Sequence, residues 1–160
     1  MVNKWKAAWA VLMPALALAC ASAPGLRAGQ AGAHAELIGS TVPELAQKCD
    51  VRINLMGEQE ALVITRQLTL RVRYDSVNTV EYGQHVGRRY VEAVLISPLV
   101  LLAKSRKHFV TLGYTDANGR QQALVFQVSK GDVRALLAEL EAKTGRRIEY
   151  TDNDARAGRG

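Results

Sequence analysis

The sequence predicts a mainly β (α+β) domain: an antiparallel, partly closed barrel or strongly bent sheet of about six strands, capped by one C-terminal helix over about residues 130–144. Three observations predict it. Apolar residues recur with a period of two from Asp50 to Tyr82, the alternation resumes from His108 to Val128 around an Asn-Gly turn, and the period lengthens to a helical one at Val133, Leu136, Leu137 and Leu140. The chain has 160 residues, 48% of them hydrophobic and 22% charged, which suits one ordinary core and excludes both low-complexity disorder and a disulfide scaffold.

The first element is an address. Lys4 and Lys6 give a basic start, Ala7 to Ala19 form an uncharged apolar run, and small residues follow, so residues 1–19 are expected to be a secretory signal. Leu16-Ala-Leu-Ala-Cys20 resembles a bacterial lipoprotein signal with Cys20 as the lipidated residue, although Ala17 and Leu18 depart from the favoured Leu and small residue before the cysteine. Cleavage after Ala19 or Ala23 instead frees a soluble chain, and an uncleaved anchor is disfavoured because a spanning helix wants about 20 predominantly apolar residues. Loss of Lys4 and Lys6 lowers the net charge from +6 to +4. Export also separates the chain from genomic DNA, so its basicity is not read as nucleic-acid binding.

Residues 20–35, rich in Ala and Gly, are expected to form a flexible tether before a single globular domain over 36–150, and 151–160 a loose tail. Thr41-Val-Pro-Glu44 has capping-box spacing and predicts a short helix through Lys48. Val51, Ile53 and Leu55 then form a strand, Gly57 to Glu60 a turn, and Ala61 to Thr65 a returning strand. Leu68, Leu70, Val72 and Tyr74 alternate with Thr69, Arg71 and Arg73; Asp75-Ser76 turns the chain into a strand from Val77 to Tyr82.

In the later hairpin a two-residue Asn-Gly turn would put Phe126 on the opposite face from Leu112. An odd loop with Gly119 in a bulge gathers Val110, Leu112, Tyr114, Leu124, Phe126 and Val128 on one face, pairing Leu112 with Phe126 and Tyr114 with Leu124. The helix after it has Ser129 as its cap, Asp132 and Lys143 placed to suit its dipole, and Gly145 past its last turn. Arg146 to Tyr150 reads as an edge strand. The absence of alternating β and α segments argues against a doubly wound nucleotide-binding fold.

One segment departs from the pattern. Val91 to Ala103 is unusually apolar, broken by Pro98 and flanked by Arg88 and Arg89 on one side and Lys104, Arg106 and Lys107 on the other. It is too short to span a bilayer. Two readings stand: a buried crossover, or a membrane or partner surface whose apolar side chains enter the acyl boundary while the cations meet phosphates.

The order of certain residues, Val80-Glu-Tyr-Gly83, Gly87-Arg-Arg89, Ala93 to Leu99 with Ser97-Pro98, the basic run to His108, Tyr114-Thr-Asp116 and Gly145-Arg-Arg-Ile-Glu-Tyr150, resembles small exported bacterial proteins of unknown function with a pleckstrin-homology-like domain. The resemblance spans roughly residues 50–150 and implies a seven-stranded half-open barrel with a C-terminal helix, so six to seven strands are expected in all. It implies no ligand. The first hairpin turn, Gly57 to Glu60, is acidic where phosphoinositide binders of the wider superfamily are basic, and both tryptophans, Trp5 and Trp9, lie in the signal.

Neither a nucleophile elbow nor a metal-binding or phosphate-loop motif occurs, and His34, His85 and His108 are dispersed. Cys49 reads as a small apolar core residue. The expected function is a non-catalytic, cofactor-free binding or scaffold module of the cell envelope, periplasmic or lipid-anchored, whose partner is an envelope protein met at an exposed sheet edge. The alternative is a peripheral membrane module using the 91–103 segment and its flanking cations, and an uncharacterised enzyme is the minor alternative.

Overall fold

The computed structural model describes residues 32–45, 48–86 and 107–151. Among these, the alternating segments become β1 (Ala33–Ser40), β2 (Cys49–Asn54), β3 (Glu60–Ile64), β4 (Thr69–Arg73), β5 (Val77–Gly83), β6 (His108–Thr115), β7 (Gln121–Val128) and β8 (Ile148–Tyr150). A 3-10 turn, Tyr74–Ser76, joins β4 to β5, and the helix α1 (Lys130–Thr144) stands between β7 and β8. The strands make one sheet in the order β4-β3-β2-β1-β7-β6-β5-β8, with β4 and β8 at its two ends. The molecule is therefore mainly β with one C-terminal helix, as the periodicity predicts.

Several details differ from the sequence reading. Among the described residues the sheet has eight strands rather than six to seven, and it is mixed, because β8 runs parallel to β5 (Val80 beside Ile148, Tyr82 beside Tyr150). The helix returns the chain before β8 begins, and a parallel pair needs such a crossover. The extra strand is β1, which begins at Ala33, so the last three residues assigned to the tether belong to the sheet. Its small residues give little strand propensity; pairing with β2 on one side and β7 on the other supplies the stabilisation that propensity lacks.

The helix expected from Thr41 to Lys48 is replaced, over the described residues, by a turn at Val42 to Leu45, where Leu45 N–H donates to Val42 O (3.2 Å). Thr41 is not free to cap. Its hydroxyl bonds the Gln122 amide oxygen (2.6 Å) and accepts from Ala123 N–H (2.8 Å) on β7.

The hairpin of β6 and β7 has its six predicted residues on the core side, but pairs Leu112 with Leu124 and Val110 with Phe126, a shift of two positions that preserves the face. The shift originates at Asp116. Its carboxylate accepts from Asn118 N–H and Arg120 N–H (both 2.9 Å), and Asp116 N–H donates to Arg120 O (2.9 Å), so the loop closes at Asp116 and Arg120. Gly119 takes φ +77° there, a conformation in which glycine escapes the Cβ penalty.

Both ends of the sheet share one core. Val51, Ile53, Val63 and Val72 from the first half meet Val80, Leu112, Leu124 and Phe126 from the second, under the helical stripe Val133, Leu136, Leu137 and Leu140. Each such side chain contributes roughly 1.5–3 kcal/mol when fully buried. The helix is held at both ends: Ser129 Oγ accepts from Asp132 N–H (3.2 Å), and Gly145, at φ +67°, donates its N–H to Glu141 O (3.0 Å). Lys143 Nζ donates to Gly57 O (3.0 Å) and lies 5.8 Å from the centre of the Tyr74 ring, whose hydroxyl donates to Leu55 O (3.0 Å). These bonds tie the end of α1 to the turn between β2 and β3.

The outer face of the sheet is not uniform. Across β2 to β4 it is partly or fully exposed, with Arg52, Leu62, Ile64, Thr69, Arg71 and Arg73. Across β1, β7, β6 and β5 it is buried as a second cluster: Ile38, Phe109, Ala123 and Val125 with Val86, beside buried Thr111 and Glu81.

Candidate functional site

The end of the sheet at β4 combines an edge that no other described strand pairs, a groove and charge. In the β3–β4 ladder Val63 stands opposite Leu70 and Ala61 opposite Val72. Thr65 N–H donates to Leu68 O (2.9 Å) and Tyr74 N–H to Gln59 O (2.9 Å), which fixes the phase of the ladder. Since antiparallel pairs alternate between bonded and non-bonded, Leu70 and Val72 turn their backbone groups toward β3. Thr69, Arg71 and Arg73 turn theirs to the open edge. The Arg73 carbonyl accepts from Ser76 Oγ (2.8 Å).

Beside this edge lies a groove of about 530 Å³, bounded by Leu70 to Arg73 with Asp75 and Ser76 on one side and by Tyr114 to Asn118 at the β6–β7 turn on the other. Its floor is apolar, with Val72 and Tyr114 buried and Leu70 half-buried. Burial pushes the Tyr114 phenol up to about 12, with Asp116 and Glu44 adding to the shift, so its hydroxyl stays neutral. The far wall is rigid. Asp116 accepts from Gln122 Nε2 (2.9 Å), Arg120 N–H, Asn118 N–H and Arg120 Nε, and these bonds hold its carboxyl down to about 2.

On the outer side of β4 stand Arg71 and Arg73, whose side chains are 68% and 70% exposed. Arg71 pairs with Glu60 across the ladder, and Arg73 with Asp75 in the following turn. Chemically the edge can donate and accept main-chain hydrogen bonds, take apolar side chains on its inner side and attract carboxylates on its outer side.

Of the residues singled out from the sequence, Cys20, Arg88, Arg89, Lys104 and Arg106 lie outside the described residues, as does the whole 91–103 segment. Lys107 is described and is half-buried at the start of β6. His108 shares a 2.7 Å hydrogen bond with Tyr82 Oη, and its ring stacks at 6.0 Å on Tyr82, which meets Tyr150 edge to face. This cluster locks β5, β6 and β8 together. His85 is exposed, and its carbonyl accepts from Thr151 Oγ1 (3.2 Å).

Cys49 opens β2 and is half-buried rather than fully buried, against a smaller cavity of about 260 Å³ whose lining includes Glu44, Lys48, Asp50 and Arg66. Burial, then the Asp50 charge, pushes its thiol up, away from the thiolate a nucleophile needs. Among the described residues no group of three or more His, Cys, Asp or Glu is placed to hold a metal ion. No described helix is long and apolar enough to cross a membrane.

Sequence reading expects a partner at an exposed sheet edge but does not say which strand lies at an edge. The signal was present: Arg71 and Arg73 occupy the outward positions of one short strand, and charged residues are a common means of blunting an edge. Comparison with protein-family models finds no match for the chain, and none is found among curated proteins.

Proposed function

We propose that the protein is a non-catalytic binding module of the bacterial cell envelope that accepts an extended segment of a partner protein along β4. The observation that carries this reading is the coincidence of outward backbone groups at Thr69, Arg71 and Arg73 with an adjacent groove of about 530 Å³. An added strand satisfies both: its main chain continues the ladder and its alternate side chains enter the groove. In this proposal the chain is exported through its N-terminal signal and is released to the periplasm or held by lipid on Cys20. The finer architecture belongs to the same proposal. A half-open, pleckstrin-homology-like barrel is supported by the sheet order, in which β1 joins β4-β3-β2 to β7-β6-β5, and by the C-terminal helix packed on their shared core.

The test is site-specific photo-crosslinking in the envelope, with the reactive group at Thr69 and, as a control, at exposed Arg134 on α1. The expected result is a crosslink from position 69 to one segment of one envelope protein, absent from position 134 and lost on Arg71→Pro. A crosslink that survives Arg71→Pro, or none at position 69, overturns the reading. Co-sedimentation of the full chain with anionic vesicles, weakened by salt and unaffected by Arg71→Pro, would favour the membrane-surface alternative around Lys107 and the neighbouring cations.

A further inference from the structure

Resting on β4 as a strand-accepting edge, we infer that its occupant is an antiparallel segment in which acidic and apolar residues alternate, with the acids opposite Arg71 and Arg73 and the apolar residues opposite Val72 and Leu70.

The phase of the ladder dictates this pattern. Residues directly opposite each other in a sheet put their side chains on the same face. A residue opposite Arg71 or Arg73 therefore lies on the outer face beside a guanidinium, and a residue opposite Leu70 or Val72 points to the inner side, into the groove floored by those two and Tyr114. The outer row of β4 holds two arginines and Thr69 with no acid of its own. Arg71 uses one N–H donor on Glu60, and Arg73 uses two on Asp75. A guanidinium has five N–H donors, so each has donors left for an incoming carboxylate. Further back on this face, Arg52 Nε on β2 is buried with no hydrogen-bond partner among the described residues, which adds to the cationic character of the approach. A basic strand would set like charges opposite Arg71 and Arg73, which is destabilising.

On the inner side a polar residue would lose water against the apolar floor of Leu70, Val72 and the Tyr114 ring. An apolar one gains burial. The five residues of β4 set the minimal length, so the segment reads acid, apolar, acid, apolar, small polar from its N-terminus, beginning opposite Arg73 and ending opposite Thr69. An antiparallel direction is chosen because its ladder is slightly more stable per residue than a parallel one.

The test titrates isotope-labelled full chain with three capped pentapeptides: Glu-Val-Glu-Val-Thr, its Lys-Val-Lys-Val-Thr counterpart, and the phase-shifted Val-Glu-Val-Glu-Thr. Amide shifts and affinity are read by NMR. The expected result is that only the first binds well, with shifts concentrated on Thr69 to Arg73 and on Tyr114. Two charge pairs give it about a tenfold advantage over the lysine peptide at low salt, and the double variant Arg71→Glu with Arg73→Glu reverses the preference. Equal binding of the acidic and basic peptides at β4 overturns the acidic occupant and leaves the strand-accepting edge standing. Acidic-peptide binding that survives Arg71→Pro shows attraction without strand addition, which overturns both. If no peptide shifts the β4 amides, the inferred occupant is wrong, and crosslinking from position 69 decides the edge on its own.

Discussion

The two halves of the sheet share a core on one face and differ on the other. In β3 and β4 burial alternates: Ala61, Val63 and Val72 are buried while Leu62, Ile64, Arg71 and Arg73 are not. In β6 every residue from Phe109 to Tyr114 is buried, and in β7 every residue from Gln122 to Phe126. The first half is thus a one-sided sheet with a wet back and an open edge, and the second is covered on both faces, as near-continuous apolar runs require. Recognition in the proposed function falls to the half with less holding it, where the five-residue edge strand β4 lies beside the groove, whereas the edge at the other end, β8, is only three residues long.

The strongest test of this contrast compares outer-face truncations. Phe109→Ala, at 5% exposure in the doubly covered half, is expected to cost about 3–5 kcal/mol of unfolding free energy. Leu62→Ala, on the same face of the open half, is expected to cost less, about 1–2 kcal/mol, since its side chain stays partly exposed. Chemical denaturation of both variants measures the difference; equal losses would show that the open half is covered after all. Next in size is a proline pair on β4. Leu70→Pro removes a donor from the bonded side of the ladder and is expected to cost about 1–3 kcal/mol, whereas Arg71→Pro removes one facing the open edge and is expected to be nearly neutral. If Arg71→Pro destabilises as much as Leu70→Pro, the ladder phase is reversed.

Smaller still is Gly119→Ala in the hairpin that joins the covered strands. Nothing within 4 Å would meet the new methyl group, so the expected loss of about 1–2 kcal/mol comes from the left-handed backbone alone. A neutral result in thermal unfolding would show that the turn relaxes. The smallest effect is one of pH. Asp116 is held at about 2 in the fold, below its ordinary 3.8, so its bonds stabilise the hairpin at neutral pH and are lost as pH falls from about 4 toward about 2. Asp116→Asn is expected to flatten that acid limb of the stability profile, and an unchanged limb would assign it to other carboxylates.

The contrast between the halves also explains what the sequence made legible. Where one face is wet, polar and apolar residues alternate and the strand announces itself, as from Val51 to Tyr74. The helix was readable from its stripe, its Ser129 cap and Gly145, all local signals. β1 was not, because Ala33, Ala35 and Gly39 have little propensity and their strand conformation depends on partners on both sides. The hairpin face was legible from alternation, whereas its exact register depended on Asp116 bonding within the turn. For the candidate site, the outward arginines of β4 were visible in the sequence, but their place at an edge is a property of strand order, which alternation does not encode.

The central position of β1 has a consequence in time. Ala35 pairs with Val51 on one side and Val128 on the other, so the sheet becomes continuous only when its first and penultimate strands meet. The β1–β2–β3–β4 meander can form from nearby sequence, but until β7 arrives the inner edge of β1 is as open as β4 and much more apolar. Joining them closes a long loop before any reward is collected, the kind of contact that slows folding. A chain shortened ahead of Gln121 would present that unprotected edge permanently, and its expected fate is aggregation rather than a smaller fold.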